Sequence, residues 1–147
     1  MPVLKGEDLL SSQVKAAVKQ SQIDGTYSGI AYHCPNEILA KGNQIAALKK
    51  RKAIGVMNGA PDWVFEVGDR CATVELKDAK SDDEAWRKCT NAQKEYALHK
   101  WATGGNHLVA WNLPMIGEFL IECRFLLDSP QYQPAFQGGV AALEHHE

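Results

Sequence analysis

The segment that decides the fold spans residues 55–77 and reads GVMNGAPDWVFEVGDRCATVELK. Its first part combines glycine, asparagine and proline, which is typical of a turn, and leads into an apolar strand at residues 62–67. Gly68 and Asp69 then suit a tight turn, and residues 71–77 are rich in apolar and β-branched side chains. The segment therefore predicts a β-hairpin.

Before the hairpin, apolar side chains recur near helical spacing and then give way to glycines, a short apolar run and a polar stretch. The predicted elements are a helix at residues 7–20, a strand at 30–33, a loop at 36–43 and a short basic helix at 44–53. Ser11 or Ser12 is the expected N-cap if the first helix starts late.

After the hairpin, a charged loop with a possible cap at Ser81 precedes a stretch without glycine or proline, which predicts one long helix or two pieces. The predicted elements are helical residues 84–103, ended by Gly104 and Gly105, a strand at 107–111 and a strongly apolar helix at 114–127. This order predicts an α/β fold with a central mixed β-sheet flanked by helices. The strand after the long helix is expected to be parallel, reached by a right-handed crossover.

A chain of 147 residues with 45% hydrophobic and 23% charged residues is the size and composition of one globular domain, expected at residues 1–140. Residues 141–147 look like a remnant of a histidine expression tag. The chain shows neither a membrane-spanning apolar stretch nor a secretory signal, so we expect a soluble, cytoplasmic protein without membrane partners. Its four dispersed cysteines lack the spacing of a zinc site and are expected to be reduced thiols.

The hairpin also carries chemistry. Asp62 begins its first strand, while Glu75 and Lys77, two residues apart on the second, share one face. Leu76 then turns into the core and leaves its carbonyl at the sheet edge. Two carboxylates on adjacent strands suit Mg²⁺, and Lys77 adds a cation that can orient water or stabilise a charged phosphate. A Glu-x-Lys tripeptide on an exposed strand has by itself an ordinary structural explanation.

A basic run provides a second candidate feature. It consists of Lys49, Lys50, Arg51 and Lys52. Such a run is either a solvated helix end or a set of phosphate contacts, and taken alone the first interpretation is favoured. The net charge of −2 gives no general support to nucleic-acid binding. The tryptophans suit core packing better than base stacking, and His99 and His107 are interpreted as surface or structural residues.

These motifs occur in an order that resembles the virus-type replication-repair nuclease family (VRR-NUC). The resemblance covers about residues 29–120 and includes HCPNE at 33–37, GVMNGAPDWVF at 55–65, ATVELK at 72–77 and TNAQ at 90–93, followed by the glycine pair and an apolar strand. It implies a restriction-endonuclease-like fold of the PD-(D/E)XK type. It also implies hydrolysis of phosphodiester bonds in DNA with Mg²⁺, for which Mn²⁺ is an expected substitute.

Carried over by position, the resemblance makes Asp62, Glu75 and Lys77 the metal-binding and catalytic residues, with Gln93 as the helix residue that faces the site. The Leu76 carbonyl at the sheet edge is expected as a further metal ligand. The family's acidic residue on the first helix has no clear counterpart. The candidates are Gln13, Glu7 and Glu37.

A second departure from the family is the length of residues 78–89, which we interpret as an insertion near the substrate groove. Because of it, Glu84 is an alternative to Gln93. The distance from Gln93 to the following glycine pair favours Gln93.

The sequence thus predicts a Mg²⁺-dependent, structure-specific DNA endonuclease of a phage, mobile element or DNA repair pathway, working in the cytoplasm of a prokaryotic host. We expect a homodimer that cuts branched DNA such as a four-way junction, because paired incisions need two sites related by a two-fold axis. The apolar circumference of helix 114–127 fits a partner chain or, almost equally, burial in its own domain. The alternatives are a non-catalytic nucleic-acid-binding module with the same fold and, less favoured, a structural protein.

Overall fold

A computed structural model describes residues 3–34, 59–128 and 134–137, without the side chains of Pro134 and Gln137. Its elements are α1 (Gly6–Asp24), β1 (Ile30–His33), β2 (Trp63–Val67), β3 (Arg70–Leu76), α2 (Asp82–Lys88), α3 (Asn91–Ala102), β4 (Asn106–Ala110), α4 (Leu113–Glu122) and α5 (Pro134–Gln137). The predicted loop at 36–43, the basic helix at 44–53, Glu37, the basic run at 49–52 and the tag at 141–147 lie outside the described residues.

The strands form one four-stranded mixed sheet in the order β1-β2-β3-β4. β1 and β2 are antiparallel, β2 and β3 are antiparallel, and β3 and β4 are parallel. The predicted α/β class, the mixed sheet flanked by helices and the parallel last strand are confirmed. The hairpin is confirmed as well: Val67 pairs with Arg70 across a turn in which Gly68 has a φ of 62°, a value that favours glycine.

Helix α1 begins at Gly6, one residue before the predicted start, so the late start that would make Ser11 or Ser12 the N-cap does not occur. Its N-cap is Lys5, and no side chain caps the helix there. Glu7 in the first turn instead suits the positive end of the helix dipole. Ser11 has another role, because its hydroxyl oxygen accepts a hydrogen bond from Trp63 Nε1 at 3.0 Å. The helix ends at Gly25, whose φ of 82° gives the left-handed conformation of a C-terminal cap.

The stretch predicted at 84–103 is divided into α2 and α3. Ser81 caps α2 as predicted, accepting a hydrogen bond from the Glu84 amide. Thr90 and Gln93 then form a reciprocal capping box at the start of α3. A capping box satisfies amides that have no partner within the helix, and a new helix can therefore start here without glycine or proline.

The apolar helix predicted at 114–127 ends at Glu122. Arg124 has a φ of 63° and turns the chain, which lets Phe125 and Leu126 pack into the core at 4% and 5% exposure. Leu126 also forms an isolated antiparallel bridge with Tyr27. Burial of these side chains therefore ends the helix before its apolar pattern does.

One face of the sheet packs against α1 and α4, with α5 packed on these two helices, and this layer forms the core. Phe65, Leu76, Ile116 and Leu120 are all at most 1% exposed in it. Helix α5 lies in a proline- and glutamine-rich tail for which no helix was predicted, yet its Phe136 is 1% exposed. Gly117 of α4 admits it: a Cβ there would lie 2.6 Å from the Phe136 Cβ. Helix α3 packs on the opposite face, where Trp101 and Tyr96 contact His107.

None of the described helices combines the length and apolar character needed to cross a membrane.

Candidate active site

Asp62 immediately precedes β2 and links that strand to its neighbours on both sides. Its Oδ2 accepts a hydrogen bond from the Leu76 amide at 2.7 Å. Its own carbonyl accepts one from the Cys34 amide, also at 2.7 Å. The Asp62 carboxylate is therefore held against the end of β3.

The loop before Asp62 is held by α3. Gly59 has a φ of 77°, and a Cβ at this position would lie only 2.4 Å from the Ala92 carbonyl oxygen. Any side chain here would have to displace the backbone of the first turn of α3. Glycine at 59 thus lets the loop pack closely against the first turn of α3, and this packing positions Asp62.

Glu75 lies near the end of β3 and is 2% exposed. Neither of its carboxylate oxygens has a hydrogen-bond partner among the described residues. Burial, reinforced by the neighbouring Asp62 carboxylate, raises the pKa of Glu75 to about 10. Glu75 and Asp62 are thus a close, interacting carboxyl pair, and Lys77 offsets only part of the effect of burial on the pKa of Glu75.

Lys77 follows Glu75 by two residues on the same side of the chain. Its amide donates to the Ala110 carbonyl at 2.8 Å, so the parallel pairing of β3 and β4 continues to this position. The residue is 9% exposed. Leu76 lies between them in the chain, and its side chain packs into the core on the other face of the sheet, where it is 1% exposed. The predicted alternation of side chains along the strand is therefore confirmed.

Glu7 of α1 reaches the same place. Its Oε1 lies 3.7 Å from Lys77 Nζ, and its side chain is 50% exposed. Partial burial raises the pKa of Glu7 against the opposing effect of the Lys77 ammonium, and Asp62 raises it further. Of Glu7 and Gln13, the two described candidates for the acid of the first helix, Glu7 is the one in contact with Lys77. Gln13 is 3% exposed, with its amide nitrogen unpartnered.

A cleft of about 690 Å³ opens beside Asp62 and helix α1, and its described lining includes neither Glu75 nor Lys77. It is lined from α1, β1 and the hairpin by Leu4, Glu7, Asp8, Ser11, Ser12, Lys15, Ala31, Tyr32, His33, Asp62, Trp63 and Leu76. Its volume falls in the range of pockets that hold small organic ligands. Asp62 and Leu76 therefore face a space in which a substrate group fits.

The donors here fit a hard cation, although no group of three or more His, Cys, Asp or Glu residues in the described part of the chain is arranged as a metal site. The two carboxylate oxygens of Glu75 lie beside Asp62 without a hydrogen-bond partner among the described residues. Carboxylate oxygens are the ligands that Mg²⁺ prefers. A main-chain oxygen adds to them. The Leu76 amide points to Asp62, and in a strand the carbonyl of a residue points to the same side as its amide.

Gln93 has a role in its own helix. Its Oε1 accepts a hydrogen bond from the Thr90 amide at 2.9 Å. The alternative residue, Glu84, makes a similar contact in α2, where its Oε2 accepts from the Lys80 amide at 3.4 Å. Helix capping thus accounts for the acceptor oxygen of either residue.

A buried polar pair on the same face of β3 was not predicted. Thr73, two residues before Glu75, places its hydroxyl 2.7 Å from Nδ1 of His107 on β4. Burial, with a smaller effect of Lys100, lowers the pKa of His107 to about 4. His107 is 6% exposed, in line with the structural role expected of it. The strand pairing of the two residues, which only the sheet register defines, is what brings them together.

No family model, curated protein or solved structure matches this chain. The support for a function therefore comes from the arrangement of Asp62, Glu75 and Lys77 and from the motifs that carry the family resemblance.

Proposed function

We propose that this protein is a Mg²⁺-dependent nuclease of the PD-(D/E)XK type that hydrolyses phosphodiester bonds in DNA. The observation that carries the proposal is the Glu75 carboxyl group, buried without a hydrogen-bond partner beside Asp62. Lys77 and Glu7 complete the cluster.

A buried, unsatisfied acid is unfavourable for folding. Leaving such a group without a partner costs about 1–3 kcal/mol, and an apolar residue would fill the same place in a strand without that loss. Groups of this kind concentrate at functional sites, where a ligand completes their interactions. The burial of Glu75 next to a second carboxylate therefore favours a cation site over a purely structural strand end.

In this proposal Asp62, Glu75 and the Leu76 carbonyl hold the ion. When bound, Mg²⁺ supplies positive charge at the scissile phosphate and makes a coordinated water more acidic. The hydrogen bond from the Leu76 amide fixes one Asp62 oxygen, and the other oxygen is the one that would act as a ligand beside Glu75.

Lys77 supplies a positive donor to the reacting phosphate or to the attacking water. The distance of 3.7 Å between Lys77 Nζ and Glu7 Oε1 is longer than a hydrogen bond. The ion pair therefore orients the ammonium group while its N–H groups stay able to donate to the substrate. Glu7 thus acts as a positioning residue for Lys77.

The substrate proposed is branched DNA, and the proposed assembly is a homodimer. Both follow from the family resemblance and from the need for two sites to make paired incisions. Helix α4 adds little to this, because Ile116 and Leu120 are fully buried in their own domain. Leu127, beyond the helix, is 62% exposed.

The test is cleavage of labelled DNA substrates with and without Mg²⁺: a four-way junction, a flap, a nicked duplex and a single strand. Asp62→Asn and Lys77→Met should each abolish Mg²⁺-dependent cleavage while leaving the far-UV circular dichroism spectrum unchanged. Asp69→Asn is the matched control, because Asp69 is an exposed aspartate at the other end of the same hairpin. Cleavage by Asp62→Asn at the unmodified rate would refute the proposal, and DNA binding without any cleavage would favour a non-catalytic binding module.

A further inference from the structure

A pair of tryptophans lies on the α2 and α3 side of the molecule. Trp86 of α2 and Trp101 of α3 stack with ring centroids 5.8 Å apart and an interplanar angle of 28°. Trp86 is half-buried, whereas Trp101 is 45% exposed. Large aromatic rings are usually covered in a folded domain, so an exposed ring in a stacked pair is available to a further planar group.

The exposed ring is rigidly held. Trp101 Nε1 donates a hydrogen bond to the His107 carbonyl oxygen at 2.8 Å. His107 belongs to β4 and pairs with Thr73 of β3, two residues before Glu75. Two residues correspond to about 7 Å along a strand, so Trp101 is anchored beside the strand that carries the candidate active site.

One cation lies over the pair. Lys94 Nζ lies 5.8 Å from the centroid of the Trp86 ring. Arg87 is exposed next to Trp86, and Lys100 precedes Trp101 in the chain. None of these three cations forms an ion pair with another residue in the described ranges. Lys94 is therefore the cation placed to meet an anionic partner at the rings. Arg87 also faces the charge of Glu84, and the two helices carry further acidic residues at Asp82, Asp83 and Glu95.

We infer that Trp101, backed by Trp86, is a stacking platform for the unpaired bases of a single-stranded nucleic acid. Bases stack on aromatic rings regardless of their identity, and nearby cations contact the phosphates that join them. A flat exposed ring whose stacking partner carries the Lys94 ammonium fits this ligand better than an apolar protein segment, which would leave that ammonium desolvated and unpaired. The identity of the ligand rests on the proposed function, since the ligand would be an unpaired strand of the nuclease's DNA substrate.

The experiment measures binding of fluorescein-labelled oligothymidylate of about 12 nucleotides by anisotropy, in EDTA so that no cleavage occurs. Trp101→Ala should weaken binding by about 10-fold, because stacking of a single base accounts for an effect of that order. Trp101→Phe retains an aromatic face and should restore most of the affinity. Leu98→Ala is the matched control, since Leu98 is 56% exposed on the same helix and has no aromatic ring.

A second measurement needs no variant: oligothymidylate should quench the tryptophan emission of the unmodified protein, and a duplex of the same length should quench it less. Equal affinities for Trp101→Ala and Leu98→Ala, or absence of quenching, would overturn the inference. So would a fall in the light-scattering mass of Trp101→Ala with unchanged oligonucleotide binding, because the ring would then belong to a contact between copies of the chain. Failure of Mg²⁺-dependent cleavage would reject the proposed function. The binding and quenching measurements contain no metal, so they would still test the stacking platform by themselves.

Discussion

Replacing Glu75 by leucine should make the metal-free protein more stable while it removes activity. Glu75 is 2% exposed and neither carboxylate oxygen has a partner in the described structure. Leucine has a similar volume and leaves no polar atom unsatisfied. Relief of the unsatisfied group should raise the free energy of unfolding by about 1–3 kcal/mol. For a chain of this size that corresponds to an increase in Tm of roughly 3–10 °C.

The assay is thermal unfolding followed by circular dichroism, in EDTA and in excess Mg²⁺. Mg²⁺ should raise the Tm of the unmodified protein. At a Mg²⁺ concentration a hundred times its Kd, the free energy of unfolding should rise by about 2.7 kcal/mol. It should have no effect on Glu75→Leu, which lacks a ligand and should also fail to cleave DNA.

Ser21→Ala is the control for this experiment. Ser21 is 1% exposed with an unpartnered hydroxyl, but it lies near the C-terminal end of α1, at the opposite end of the helix from Glu7. Its replacement should also raise the free energy of unfolding, because it too removes an unsatisfied polar group, but it should leave both the Mg²⁺ response and cleavage intact. A clear loss of stability for Glu75→Leu in EDTA would refute the reasoning, because Glu75 would then make stabilising contacts of its own.

Further predictions concern the buried histidine, the tail helix and the basic run. Because the pKa of His107 is about 4 in the folded chain and ordinarily 6.5, the unfolded chain binds more protons between these values. The free energy of unfolding should therefore fall by up to about 3 kcal/mol as the pH drops from 6.5 to 4, and much less in His107→Asn, as urea titrations at each pH would show. Phe136→Ala should lower the free energy of unfolding by about 3–5 kcal/mol in urea titrations, whereas Leu127→Ala at an exposed position should change it by less than about 0.5 kcal/mol. Neutralising the basic residues at 49–52 should weaken DNA binding for all sequences alike and reduce its dependence on salt; an unchanged salt slope would identify the run as a solvated surface.

Several elements could be predicted from the sequence because their signals are local. The strand at 30–33 has the same bounds in the structure as in the prediction, and the hairpin differs by about one residue at its ends. Alternation along β3 correctly placed Leu76 in the core and Glu75 with Lys77 on the other side. Such patterns act over two to four residues, so the chain carries them wherever it folds.

Other features depended on contacts between distant segments. The Phe136 side chain is buried only because α5 reaches α1 and α4, and Glu7 reaches Lys77 only because α1 lies across the end of β3. The pairing of Thr73 with His107 needs the parallel register of β3 and β4.

What the sequence determined by itself is therefore the α/β order, the hairpin and the two-residue spacing that unites Glu75 with Lys77. Only the tertiary structure decided that Glu75 is buried without a partner beside Asp62, with Glu7 against Lys77. The physical reason is that the alternation of a strand follows from backbone geometry alone, whereas loss of solvent and approach of charges depend on which remote elements pack together.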